Sequence, residues 1–120
     1  MRILVADDDP VTLTYLKAGL EHHGFVIDTA ADAMQTVMKA IRNVPDAVVL
    51  DIKMPGGTGL TALTRIKQSA KSRDIPVIAI TGSPTPEVRS EVLELGAVDC
   101  LEKPIDIEAL ATLLTGLGKG

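Results

Sequence analysis

A chain of 120 residues is one ordinary domain, long enough to bury a core without disulfides or a structural metal. Its formal net charge of -4 argues against a nucleic-acid surface, and its single cysteine, Cys100, excludes an internal disulfide. No apolar run nears the ~18 residues a membrane span needs and the N-terminus has no signal-peptide pattern, so a soluble cytoplasmic protein is expected. With one Phe, one Tyr and no Trp, branched aliphatics and alanine must fill the core. The start at Met1 and the glycine-rich end from Gly116 to Gly120 suit either a whole small protein or a trimmed module.

Short apolar runs alternate with amphipathic stretches. Ile3 to Ala6 reads as a strand covered on both faces, followed by Asp7, Asp8, Asp9 and Pro10. Asp9 before Pro10 is a helix cap before a proline at the first helical position. Leu13, Leu16 and Leu20 continue that helix to His22, His23 and Gly24. Phe25 to Thr29 reads as the second strand. Ala33, Val37, Ala40 and Ile41 form the next helical stripe, which Pro45 breaks; Met34 and Met38 are expected to pack with it. Ala47 to Leu50 is a buried strand that stops at Asp51. Pro55, Gly56, Gly57 and Gly59 then suggest a tight loop, with Thr58 able to cap the helix marked by Leu60, Leu63 and Ile66. Val77 to Ile80 is a fourth strand, ending at Thr81 and Gly82. After Pro84 and Pro86, Val88, Val92 and Leu95 mark a fourth helix, stopped by Gly96. Val98 to Leu101 is a short fifth strand, ending near Lys103 and Pro104, and Asp106 can cap a last helix carrying Ile107, Leu110 and Leu114.

This alternation spells (βα)5 over residues 1–120 as a single α/β domain, a doubly wound parallel sheet with helices on both faces. The flavodoxin-like order 2-1-3-4-5 is expected, with ligands at the carboxyl ends of the strands near the switch between the first and third. One sheet edge then gathers Asp7, Asp8 and Asp9 from strand one, Asp51 from strand three, Thr81 from strand four and Lys103 from beyond strand five. Crowded carboxylates disfavour one another's ionisation, and a hard cation relieves them. A carboxylate flanked by a metal, a lysine and a hydroxyl is equipped to attack phosphorus and become an acyl phosphate.

The blocks Ile3-Leu4-Val5-Ala6-Asp7-Asp8-Asp9-Pro10, Val48-Val49-Leu50-Asp51-Ile52-Lys53-Met54-Pro55 with Gly59, Ile80-Thr81-Gly82, and Gly96-Ala97 with Lys103-Pro104 resemble the response-regulator receiver family over essentially the whole chain. The resemblance implies that Asp51 is the phosphoacceptor. It implies a Mg2+ ion held by Asp8 directly, by Asp7 often through water, by Asp51 and by the backbone carbonyl of Lys53. It further implies that Thr81 bonds the phosphoryl group, that Lys103 pairs with Asp51 and then with a phosphoryl oxygen, and that the Lys103–Pro104 peptide is cis. The implied donor is a phosphohistidine on a sensor histidine kinase or a histidine phosphotransfer protein. The domain would catalyse its own phosphorylation and dephosphorylation, and a partner would read the surface of the fourth helix, fifth strand and fifth helix.

The chain departs from the family pattern at three places. Cys100 stands where an aromatic ring usually swings inward, Ile105 where Phe is common, and Thr58 where Asp is common before the glycine. Cys100 reads as a small buried hydrophobe rather than a redox sensor. Pro84 and Pro86 restrict a loop that normally rearranges, so switching should be smaller or carried by the fourth helix as a rigid body. Lys53 and Ser83 occupy family positions that tune acyl-phosphate lifetime. Asp9 is read as a cap rather than a ligand. His22 and His23 suit the negative end of a helix rather than a metal, for want of a third ligand.

Rival readings have weaker support. An FMN module would want hydroxyls, amides and aromatics where the triple Asp lies. A haloacid-dehalogenase-like phosphatase would want a second Asp at the position of Lys53. A degenerate receiver used only for docking would not need the complete acidic pocket. No DNA-reading segment follows, so this chain alone is not expected to bind DNA specifically.

Overall fold

The computed structural model describes residues 1–53 and 59–118. The expected tight loop at Pro55, Gly56 and Gly57 and the Thr58 cap lie outside the described residues. Five strands and five helices alternate: β1 (Arg2–Ala6), α1 (Pro10–His22), β2 (Val26–Ala30), α2 (Ala33–Asn43), β3 (Ala47–Asp51), α3 (Gly59–Gln68), β4 (Val77–Thr81), α4 (Pro86–Glu94), β5 (Asp99–Glu102) and α5 (Ile107–Gly118). All strands pair in parallel, as the alternation of strand and helix patterns implies, and their order is the flavodoxin-like β2-β1-β3-β4-β5 that was expected.

The order explains which helices share a face. The chain leaves β1 toward β2, then reverses and adds β3, β4 and β5 on the other side. Crossovers of one hand put a helix on opposite faces when the direction of travel reverses. α1 therefore lies on the face opposite α2, α3 and α4, and α5, which follows the last strand, joins it there: Leu16 and Leu20 of α1 pack with Leu110 and Leu114 of α5 against Ile3, Val5, Val49, Ile78 and Ile80. On the other face, Ala40 of α2, Leu63 and Ile66 of α3 and Val92 of α4 pack against Leu4, Val48, Leu50, Val77 and Ala79. Every residue of β3 and β4 is buried, which is why these strands read as continuous apolar runs.

Three local expectations need correction. Phe25 does not join β2. Its N–H bonds Leu20 O at 3.3 Å, and Gly24, at φ +91°, donates to Glu21 O at 2.9 Å, so the two residues close the end of α1. The Phe25 ring is buried nonetheless. Strand β5 begins at Asp99 rather than Val98, although Val98 N–H still bonds Val77 O at 2.8 Å. Met34 and Met38 are not packed: they are 69% and 44% exposed. The buried positions of α2 are Ala33, Thr36 and Ala40, and the two methionines lie off that stripe.

Register aligns the ends of the central strands. Ala6 pairs with Leu50 and Asp51 with Ile80. The residue after Ala6 therefore stands beside Asp51, and Thr81 is one step beyond its partner. Gly59 holds this edge from behind. Its N–H bonds Ile52 O at 2.9 Å, and a methyl group at this position would overlap the Asp51 carbonyl oxygen and Ile52 Cα. Only glycine lets α3 start this close to the end of β3.

Candidate acidic site at the carboxyl edge of the sheet

The polar residues expected at the strand ends come together. One carboxylate oxygen from each of Asp7, Asp8 and Asp51 lies within 4.8 Å of the others. Asp7 is fully buried, Asp51 is nearly so, and Asp8 is exposed. The three form a cup with two walls inside the protein and one in solvent. Asp9 stays outside it: its carboxylate caps α1, accepting from Val11 N–H at 3.1 Å and Thr12 Oγ1 at 2.8 Å. Those bonds hold its pKa below the ordinary carboxylate value, Thr12 contributing most. His22 and His23 lie at the opposite end of α1 from Asp9.

Lys103 bridges the two buried acids. Its Nζ is 2.7 Å from Asp7 Oδ2 and 3.2 Å from Asp51 Oδ2. The contact with Asp51 is a hydrogen bond. The contact with Asp7 is off the hydrogen-bond direction, so Asp7 Oδ2 is buried next to a compensating charge yet has no donor. The closer partner of Lys103 is therefore Asp7, whereas the sequence pointed to Asp51. Asp7 Oδ1 accepts from Asp9 N–H at 3.0 Å, and Asp51 Oδ1 from Lys53 N–H at 3.0 Å. The carbonyl of Lys53 opens the peptide into residue 54, outside the described residues.

Burial raises the Asp51 pKa above the ordinary value, and the charge of Asp7 adds to the rise; Lys53 N–H and Lys103 oppose it without cancelling it. Burial alone would pull Lys103 down, but the carboxylates of Asp7 and Asp51 beside it outweigh that and leave it above an ordinary lysine. The site therefore holds more carboxylate than one ammonium neutralises. A buried carboxylate oxygen without a donor, facing two further carboxylates, fits a hard divalent cation that takes oxygen ligands. Asp7, Asp8 and Asp51 are the residues that would hold it.

The rest of the rim is positioned from the backbone. Thr81, fully buried at the end of β4, accepts at Oγ1 from Ser83 N–H at 3.2 Å. Its carbonyl accepts from Lys103 N–H at 2.8 Å, which ties the lysine to β4. The Lys103–Pro104 peptide is cis. Cys100 is buried and free, as its reading as a small hydrophobe anticipates, and burial pushes its thiol pKa up. Two side chains make contacts that have no sequence signal. Arg89 of α4 reaches Cys100 O at 2.7 Å and Asp99 Oδ1 at 3.2 Å. Tyr15 of α1 donates its hydroxyl to Ile105 O at 3.0 Å, across 90 residues.

The comparisons with known proteins agree with this geometry. Over 116 residues the chain is 37% identical to the transcriptional regulatory protein PrrA of Mycobacterium tuberculosis, covering 97% of this chain and 49% of PrrA. Over 105 residues it is 39% identical to the response regulator PleD of Caulobacter vibrioides, covering 88% of this chain and 23% of PleD. The chain thus spans half or less of the length of these relatives. Among solved structures, it superposes with a TM-score of 0.90 and 31% identity on the receiver domain of the sensor histidine kinase PA1611 from Pseudomonas aeruginosa, covering 98% of this chain and 97% of the other. That structure has a magnesium ion coordinated in its active-site cleft. Chemotaxis protein CheY4 of Vibrio cholerae matches with a TM-score of 0.90 and 26% identity, over 97% of each chain. The sequence model of the response regulator receiver domain matches residues 3–115, and with the strand order and the acidic edge already in place this chain belongs to that family, the receiver domains of two-component signalling.

Proposed function

We propose that residues 1–120 act as one receiver domain, a phosphorelay switch with Asp51 as phosphoacceptor and Mg2+ as its cofactor. The observation that carries the reading is the convergence of Asp7, Asp8 and Asp51 around one point with Lys103 bridging two of them. Asp7, Asp8, Asp51 and the Lys53 carbonyl would hold the ion. When bound, Mg2+ would supply positive charge against the phosphoryl oxygens and the carboxylates that crowd the acceptor.

The residues of the chain then divide the work. A carboxylate oxygen of Asp51 forms a bond to phosphorus as the phosphorus–nitrogen bond of a phosphohistidine breaks, and the departing imidazole keeps the nitrogen electron pair. Lys103 neutralises charge on a phosphoryl oxygen from the place it already holds beside Asp51. Thr81 accepts from Ser83 N–H, so its own proton is free to be donated to the phosphoryl group. Attack of water on the acyl phosphate reverses the switch, and the chain catalyses both gain and loss of its own phosphate.

The donor is a sensor histidine kinase or a histidine phosphotransfer protein, in the cytoplasm. The output is a change at α4, β5 and α5, read by a partner rather than by direct binding of this chain to DNA. No described helix is long and apolar enough to cross a membrane.

Incubation with Mg2+ and acetyl phosphate or phosphoramidate, followed by mass measurement, tests the reading. The expected result is a hydroxylamine-sensitive gain of one phosphoryl group that needs Mg2+ and is absent in Asp51→Asn. A chain that gains no mass while staying folded would instead be a docking module without phosphorylation.

A further inference from the structure

The lysine that faces the acceptor hangs from a short turn between β5 and α5, and that turn must hold its shape for Nζ to lie between Asp7 and Asp51. One anchor of the turn is Lys103 N–H on Thr81 O at 2.8 Å. The far side is held by the start of α5, where Asp106 accepts from Glu108 N–H at 2.9 Å and Ala109 N–H at 3.2 Å. Between them lies Ile105, whose side chain is buried in the core. A buried side chain fixes where a residue sits but leaves its peptide plane free to rotate. The Tyr15 hydroxyl donates to that peptide's carbonyl, Ile105 O, at 3.0 Å.

The surroundings make that bond effective. Tyr15 shares one recess with Thr12, Leu16, Lys103, Pro104 and Ile105, so the lysine and the phenol line the same recess. Leu16, the next residue along α1, is fully buried, which fixes the helix from which the phenol projects. α1 is also capped by Asp9, next to the acidic pair. A single helix thus starts at the metal side of the cup and braces the lysine side.

We propose that Tyr15 is a positioning residue for phosphoryl transfer: its hydroxyl, bonded to the Ile105 carbonyl, sets the orientation of the turn that presents Lys103 to Asp51. The inference rests on the reading of Asp51 as phosphoacceptor. A brace of this kind acts on the lysine rather than on the ion, so the variant should keep its Mg2+ affinity and lose rate. One hydrogen bond accounts for a loss of roughly three- to tenfold.

The test compares Tyr15→Phe with the wild-type chain. Phosphorylation by acetyl phosphate is followed at saturating donor over a range of Mg2+ concentrations, and the Lys103 side chain is followed by NMR through its ammonium and Cε signals. The expected result is a slower rate at saturation, an unchanged Mg2+ midpoint and a displaced Lys103 signal. A purely structural bond would lower the melting temperature and leave all three unchanged. A saturating rate within about twofold of wild type overturns the inference. If the wild-type chain takes no phosphate, the functional reading fails by itself. The brace is then judged on the NMR alone: a displaced Lys103 signal sustains it, and identical signals in the two proteins overturn it.

Discussion

At the carboxyl edge of the sheet, two buried acids, Asp7 and Asp51, share one ammonium, and the balance of the site turns on that ammonium. Lys103 has its pKa raised in the fold, burial being outweighed by Asp7 and Asp51. A raised lysine pKa gives stability that is fully present below the unfolded value of about 10.4 and lost as the pH climbs past the folded one. At neutral pH the fold therefore has all of it. Lys103→Met removes that charge and leaves Asp7 and Asp51 facing each other. Asp51 already has a raised pKa, first from burial and then from Asp7, and without the lysine it rises further. The folded variant then binds more protons than the unfolded chain above the carboxylate value of about 3.9, so its stability falls as the pH rises through that range. Lys103 is a quarter exposed, which reduces the expected loss to about 2 kcal/mol at neutral pH. Urea unfolding at several pH values and with added Mg2+ checks this. The deficit should shrink on acidification and on adding the ion, and a deficit independent of both would contradict the account. Each of these residues was legible from its place after a strand. The 2.7 Å approach of Lys103 to Asp7 was not, because sequence order says which strand end a side chain occupies and not which of two carboxylates it meets.

Two elements position the site by being pressed against it. α3 starts so near the end of β3 that Gly59 has no space for a Cβ beside Asp51 O and Ile52 Cα. Both neighbours are backbone, so neither can turn aside. Gly59→Ala should cost at least ~2 kcal/mol and slow the proposed phosphorylation, since any relief has to move the backbone of Asp51. A urea unfolding curve together with an acetyl phosphate time course decides it, and wild-type behaviour in both would remove Gly59 from the account. α4 is held differently. Thr85 caps it, accepting from Val88 N–H at 3.2 Å, Pro86 opens it, and Arg89 ties it to the Cys100 carbonyl at 2.7 Å and to Asp99 at 3.2 Å. Where a ring would turn, this chain has a buried thiol and a guanidinium clamp over the same backbone. Amide exchange with Mg2+ and beryllofluoride should then show α4 responding as one body. A large new protection pattern across residues 82 to 100 would show instead that the loop rearranges despite its prolines. The prolines were visible in the sequence and the clamp was not. The spacing between Arg89 and Cys100 matches no local pattern, and only the packing of α4 on β5 brings them together.

The whole molecule was the most legible level. Alternating strand and helix patterns of ordinary length call for a parallel sheet covered on both faces; the observed order β2-β1-β3-β4-β5 is one of several such a sheet can take, and it was expected by analogy with the flavodoxin-like pattern. Less legible was what each helix leaves uncovered: periodicity marks the stripe of α2 that faces the sheet but not how far a neighbouring helix covers its flanks, and Met34 and Met38 stand out in solvent for that reason. Charge is also distributed unevenly over the fold. Residues 82–118 carry seven acids against two cations, Arg89 and Lys103, and both cations are already in ion pairs. Glu87, Glu91, Glu94, Glu102, Asp106 and Glu108 are exposed on or beside α4, β5 and α5. Leu93 and Val98, 43% and 47% exposed, supply apolar surface among them. A twofold contact presents a patch to its own copy, so pairing through this face would oppose acid to acid, with its two described cations already engaged in ion pairs within the chain. The repulsion is long-ranged at low salt and screened within about 8 Å at physiological ionic strength. In the beryllofluoride state the chain should therefore sediment as a monomer at low salt, and any pairing through this face should strengthen as salt is added. A dimer that forms at low salt and weakens with added salt would show that attraction between charges, absent from this face, holds the two copies together elsewhere.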